Sequence, residues 1–120
     1  MSQIPNAGQW RYIDISQFER LNGTVDIFPA VARVFVGLLP AWLEEVQFSI
    51  DNADLAQLGD KLHKMKGCCG MMGAYSLSQE IASLEKRIDQ SGLLDSLSDL
   101  GELVRKIKEM DAEVAALAAS

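Results

Sequence analysis

From Ile13 onward the apolar residues of this chain recur at steps of three and four, and no stretch sustains the alternation or β-branched enrichment of a strand. That period belongs to the helix, so the apolar side chains can be buried only by packing amphipathic helices together. The reading is all-α. At 120 residues and 48% hydrophobic content, the chain suits one domain, residues 1–120, with a single core. That size fits a binding or relay module better than an enzyme with a deep pocket.

Start and stop signals divide the pattern. Asp14 followed by Gln17 has the capping-box spacing, in which each side chain can satisfy an orphan backbone N–H. It predicts a short first helix ending near Asn22-Gly23. A long second helix is expected from after Thr24 to about Ser49, with Ile27, Val31, Val34, Leu38 and Trp42 in one stripe and Pro40 bending it. Asp54 and Gln57 repeat the box before a third helix, whose inward face reads Leu55, Leu58, Leu62, Met65, Cys69 and Met72. Ser76 and Gln79 make another box, opening a fourth helix that buries Leu77, Ile81, Leu84 and Ile88 and stops at Ser91-Gly92. The last helix begins around Leu94 or Asp95 and carries Leu97, Leu100, Val104, Ile107, Met110, Val114 and Leu117 inward. An Ala-rich tail follows from Ala112 to Ser120. Four substantial helices with short connections specify an antiparallel four-helix bundle over about residues 13–118, with a short extra N-terminal helix and an extension over 1–12.

Composition removes several function classes. Seventeen acidic against eleven basic residues, a net charge of −6, oppose the basic footprint that nucleic-acid binding needs. Arg33 and then Glu44 and Glu45 interrupt the most hydrophobic stretch, so no membrane-spanning helix is expected. Met1 to Asn6 is polar and lacks the pattern of a secretory signal. A cytoplasmic location is the expectation. The adjacent Cys68 and Cys69 are poorly placed for an unstrained disulfide. With one histidine in the chain, a structural zinc site would need mostly carboxylates, so no metal is expected.

That histidine, His63, lies well off the seam of the third helix, toward solvent. Its own face carries Ala56, Gly59, Gly67 and Gly70 one and two turns away, so the ring stands on a nearly bare surface. Glycines inside a helix cost about 1 kcal/mol each relative to alanine. A partner whose backbone must approach the imidazole would explain them; close helix packing is the other reading, open for Gly70 and preferred for Gly73, which looks like a helix end. Lys66, one turn on, can reach a phosphoryl group on the ring, and Lys61 and Lys64 raise the local positive potential. On spacing alone these lysines read equally well as a solvated face.

The run Leu62-His63-Lys64-Met65-Lys66-Gly67, the later Gly73-Ala74 and then Leu84-Glu85 resemble the pattern of the histidine phosphotransfer (HPt) family. The resemblance extends from about Ile13 to Leu117 and includes Asp54 opening the histidine helix. Lys64 and Met65 stand where a small polar residue and a leucine are common, and Cys68-Cys69 where serine or alanine is frequent. These departures bear on partner preference more than on activity.

The resemblance implies a phosphocarrier in a two-component phosphorelay. His63 would attack an aspartyl phosphate on a receiver domain and pass the phosphoryl group to another receiver's aspartate. Free imidazoles titrate near pH 6.5, which leaves a nucleophilic fraction at cellular pH. Lys66 would offset the phosphoryl charge, while Gly67, Gly59, Gly70 and Lys64 would form the receiver-docking surface. Partners would be the receiver of a hybrid sensor kinase, a response regulator, or both, with the Mg²⁺ on the receiver, no cofactor here and a monomeric state. Autokinase activity would need an ATP-binding domain, and no Walker pattern is present. Two other readings compete: a helical adaptor that binds a signalling partner without carrying phosphate, and a metal or thiol sensor using Cys68, Cys69 and His63.

Overall fold

The computed structural model describes residues 11–119, with side chains to residue 117; most of the expected N-terminal extension and Ser120 lie outside it. Five α-helices follow in order: α1 (Ile15–Asn22), α2 (Phe28–Asp51), α3 (Leu55–Met71), α4 (Tyr75–Ser91) and α5 (Leu97–Ala119). A 3₁₀ turn, Leu94–Ser96, precedes α5. Among the described residues there is no strand. Helix α5 takes in the Ala-rich stretch as far as Ala119.

Local chemistry sets the boundaries. Asp14 and Asp54 cap α1 and α3, each accepting the backbone N–H three residues on, from Gln17 and Gln57, at 3.1 Å. The returning half of each capping box is replaced by backbone: Asp14 N–H donates to Gly73 C=O and Asp54 N–H to Ser49 C=O, both at 2.9 Å. Those two bonds tie each helix start to a neighbouring turn.

The second helix starts at Phe28, three residues later than expected. Thr24 Oγ1 accepts the Asp26 N–H and Phe28 N–H donates to Val25 C=O, so residues 24–28 form a turn, and Pro29 fits the first helical turn that follows. Pro40 lies inside α2. The third capping box does not form. Helix α4 begins at Tyr75, so Ser76 already sits inside its first turn, and Gln79 donates instead to Tyr75 Oη.

Helices α2, α3, α4 and α5 close a ring of contacts, α2 on α3 and α5, and α4 on α3 and α5. The enclosed core runs from Phe28, Ala32, Phe35 and Leu39 of α2 to Leu100, Ile107, Met110 and Val114 of α5. Helix α1 adds Phe18, whose ring meets Phe28 edge to face at 4.8 Å. The molecule measures 48 × 22 × 21 Å. Two helices of width leave room for a filled core but not for a deep cleft.

Burial corrects three expectations. Leu55 and Leu97, read as inward, are exposed at the first turns of α3 and α5, and Leu103 takes a core place instead. The α2 stripe Ile27, Val31, Val34, Leu38 and Trp42 is not the buried one. The stripe one residue on, Phe28, Ala32, Phe35 and Leu39, is buried, while Val34 remains 63% and Leu38 42% exposed. The two stripes are about 100° apart and both are apolar. The large Phe28 and Phe35 rings pack inward.

A candidate phosphoacceptor surface on the third helix

Residues on one side of α3 serve the core, and those on the other are left to solvent. Leu58, Leu62, Met65 and Cys69 are buried, which fixes the rotation of α3 and leaves His63 and Lys64 exposed. A side chain at Gly59 or Gly67 would enter open space. Gly70 is closer in, with Ser78 Oγ 3.7 Å from where its Cβ would be, an ordinary contact. The surface beside the imidazole is therefore bare because Gly59 and Gly67 lack side chains, not because a neighbouring helix covers them.

Gly73 serves another purpose. Its φ of +83° is left-handed, and an added Cβ would lie 2.5 Å from the backbone oxygen of Asp14. Here α1 is pressed onto the turn between α3 and α4.

Each α3 lysine has a carboxylate partner. Lys61 Nζ is 2.6 Å from Glu45 Oε2, Lys64 Nζ is 3.3 Å from Asp60 Oδ2, and Lys66 Nζ is 3.1 Å from Glu85 Oε1 on α4. Hydrogen bonding to Glu45 holds the Lys61 ammonium above the usual lysine range. The excess positive potential expected from Lys61 and Lys64 is thus largely neutralised at close range. Lys66 is the lysine one turn from His63 along the helix. Its partner Glu85 stood in the sequence as part of Leu84-Glu85, but the α3–α4 pairing needs the packing to reveal it.

Past Gly67 the surface turns apolar. An open depression of about 610 Å³ lies against Leu21, Lys66, Gly67, Met71 and Tyr75. Met71 also borders a second depression of about 210 Å³ with Val34, Leu38 and Cys68. The exposed Leu21, Val34 and Leu38 side chains thus border two depressions that meet at Met71.

The cysteines are not poised for chemistry. Burial pushes the Cys69 thiol up to about 12, and burial also raises Cys68. A thiol that stays protonated is a poor nucleophile and metal ligand. Among the described residues no group of three or more His, Cys, Asp or Glu is placed to hold a metal ion. Iodoacetamide at pH 8 is expected to modify Cys68 slowly and to leave Cys69 unmodified until the protein is unfolded; mass spectrometry of the folded protein reads this, and prompt double alkylation would contradict it.

Gly67→Gln tests the bare surface. The substitution should leave the melting temperature within about 4 °C, since a surface change away from packing costs roughly 0.5 kcal/mol. It should slow phosphoryl exchange with a receiver at least tenfold by holding the partner off. Unchanged exchange rates, or a collapsed bundle, would contradict this role for Gly67.

The described residues thus present a shallow surface with an exposed histidine on α3. The Hpt domain family model matches residues 30–120, which include all of α3, α4 and α5 and nearly all of α2. The chain belongs to the Hpt domain family. Neither the curated proteins nor the solved structures searched give a match. Hpt domains are histidine phosphotransfer modules of phosphorelays, acting as phosphocarriers with receiver domains as partners. No helix among the described residues is long and apolar enough to cross a membrane.

Proposed function

We propose that this protein relays a phosphoryl group between receiver-domain aspartates through His63, as a monomeric, cytoplasmic antiparallel four-helix bundle without autokinase activity. The observation that carries the reading is the exposed His63 on a helix face left open at Gly59 and Gly67, with Lys66 one turn along the same helix.

A ring nitrogen of His63 attacks the phosphorus of the aspartyl phosphate, and the receiver's carboxylate leaves. Alignment and charge neutralisation supply most of the catalysis in such a transfer. The open glycine face admits the receiver's active-site loops, and Lys66 meets the phosphoryl oxygens. The receiver holds the Mg²⁺. The apolar patch of Leu21, Val34, Leu38 and Met71 begins about two helical turns beyond His63, so a receiver's apolar helix seated there would bring its aspartate toward the imidazole. Gly70 and Lys64 border the same footprint.

The test is to mix the protein with receivers of the source organism charged by acetyl phosphate. An acid-labile label on this chain is expected. Binding of a receiver with no label passed would favour the adaptor reading.

A further inference from the structure

Lys66 is already engaged before any phosphoryl group arrives. Its ammonium sits 3.1 Å from Glu85 Oε1, and both side chains are largely withdrawn from solvent, at 31% and 25% exposure. That carboxylate oxygen is shielded from solvent and accepts no aligned hydrogen bond among the described residues. Lys66 is therefore its electrostatic partner, and moving the ammonium away leaves a shielded anionic oxygen uncompensated.

We infer that Glu85 is a positioning residue for the transfer: it holds Lys66 beside the bare histidine and competes with phosphohistidine for the same ammonium, which keeps the phosphoryl group easy to pass on. The inference rests on the relay reading above. In charging, the lone pair of a His63 ring nitrogen forms the P–N bond. The acyl P–O bond of the aspartyl phosphate breaks with its electron pair left on the carboxylate, and the ring N–H stays on the other nitrogen. Discharge reverses this: a carboxylate oxygen of the next receiver forms the P–O bond, and the imidazole nitrogen recovers its pair. The phosphoryl oxygens carry more negative charge near Lys66 than the bare ring does, so the ammonium is drawn toward them. Glu85 draws it back. An ammonium shared between two anions stabilises phosphohistidine less than one free to commit to it.

The equilibrium ratio of phosphohistidine to receiver aspartyl phosphate reads this directly. Glu85→Gln, nearly isosteric, should raise the ratio about threefold to fivefold, the scale of a partly exposed ion pair. Glu85→Asp, which withdraws the carboxylate but keeps its charge, should shift it the same way by less. In a Lys66→Gln background, Glu85→Gln should change nothing, because the effect passes through the ammonium. A labelled wild type with an unchanged ratio in Glu85→Gln would overturn the inference, as would a full shift persisting without Lys66. A merely structural ion pair would move the melting temperature and leave the ratio alone. A wild type that takes no label from any receiver would overturn the relay reading and this inference with it.

Discussion

His63→Gln is expected to abolish the acid-labile label from a charged receiver while leaving the fold intact. The two halves of that outcome have different causes. Glutamine offers a primary amide whose nitrogen lone pair is delocalised into the carbonyl, so no P–N bond comparable to phosphohistidine forms, and the chain has no second histidine to replace it. Stability should hold because the imidazole is exposed and its side chain makes no hydrogen bond or ion pair with the described residues. Surface changes of this kind are worth roughly 0.5 kcal/mol either way, a shift of about 4 °C at most for a domain of this size. The measurements are acid-labile phosphorylation and a thermal melt on the same preparation. Undiminished label on His63→Gln would remove His63 from the mechanism.

Gly73→Ala is expected to do the reverse, unsettling the fold and reaching function only through it. Two penalties meet at this residue. A left-handed φ of +83° costs an L-residue about 1 kcal/mol. The new methyl would stand 2.5 Å from the Asp14 backbone oxygen and 3.4 Å from Phe18 N, contacts with backbone that cannot swing aside. Overpacking of this sort costs roughly 1–3 kcal/mol. The same displacement weakens the 2.9 Å bond from Asp14 N–H to Gly73 C=O and draws Phe18 away from Phe28. A total of about 2–4 kcal/mol corresponds to a fall in melting temperature of roughly 10–20 °C. Gly59→Ala, whose methyl meets nothing within 4 Å, is the control. It should be neutral or slightly stabilising, since alanine is the better helix former. Equal effects at the two glycines would mean that close approach is not what Gly73 provides.

These glycines show how far a sequence can be read. Spacing alone set Gly59, Gly67 and Gly70 on the face of His63, because 3.6 residues per turn is a property of the backbone. It could not say which of them faces open space and which faces another helix. Gly73 was legible as a helix end, but its contact with Asp14 joins residues far apart in the chain and leaves no periodic trace. The lysines follow the same pattern. Lys66 was placed one turn from His63 by counting, whereas its pairing with Glu85 depends on how α3 and α4 pack.

Helix α2 marks the limit most clearly. Its apolar residues fill two adjacent stripes, and either could have been the buried one; the choice fell to Phe28, Ala32, Phe35 and Leu39. Val34 and Leu38 of the other stripe then became, with Met71 and Leu21, the exposed apolar surface beside the histidine helix. The third capping box failed for a related reason: Ser76 and Gln79 had the right spacing, but the turn at Gly73 started the helix at Tyr75. By itself the sequence determined the helical class, the number and approximate limits of the helices, and the exposure of His63, all of which follow from local backbone geometry and an unambiguous seam. The tertiary structure alone decided which α2 face is covered, that Glu85 holds Lys66, and that α1 presses on Gly73, because each is a contact between separate helices whose rotation is set by the best filling of one shared core.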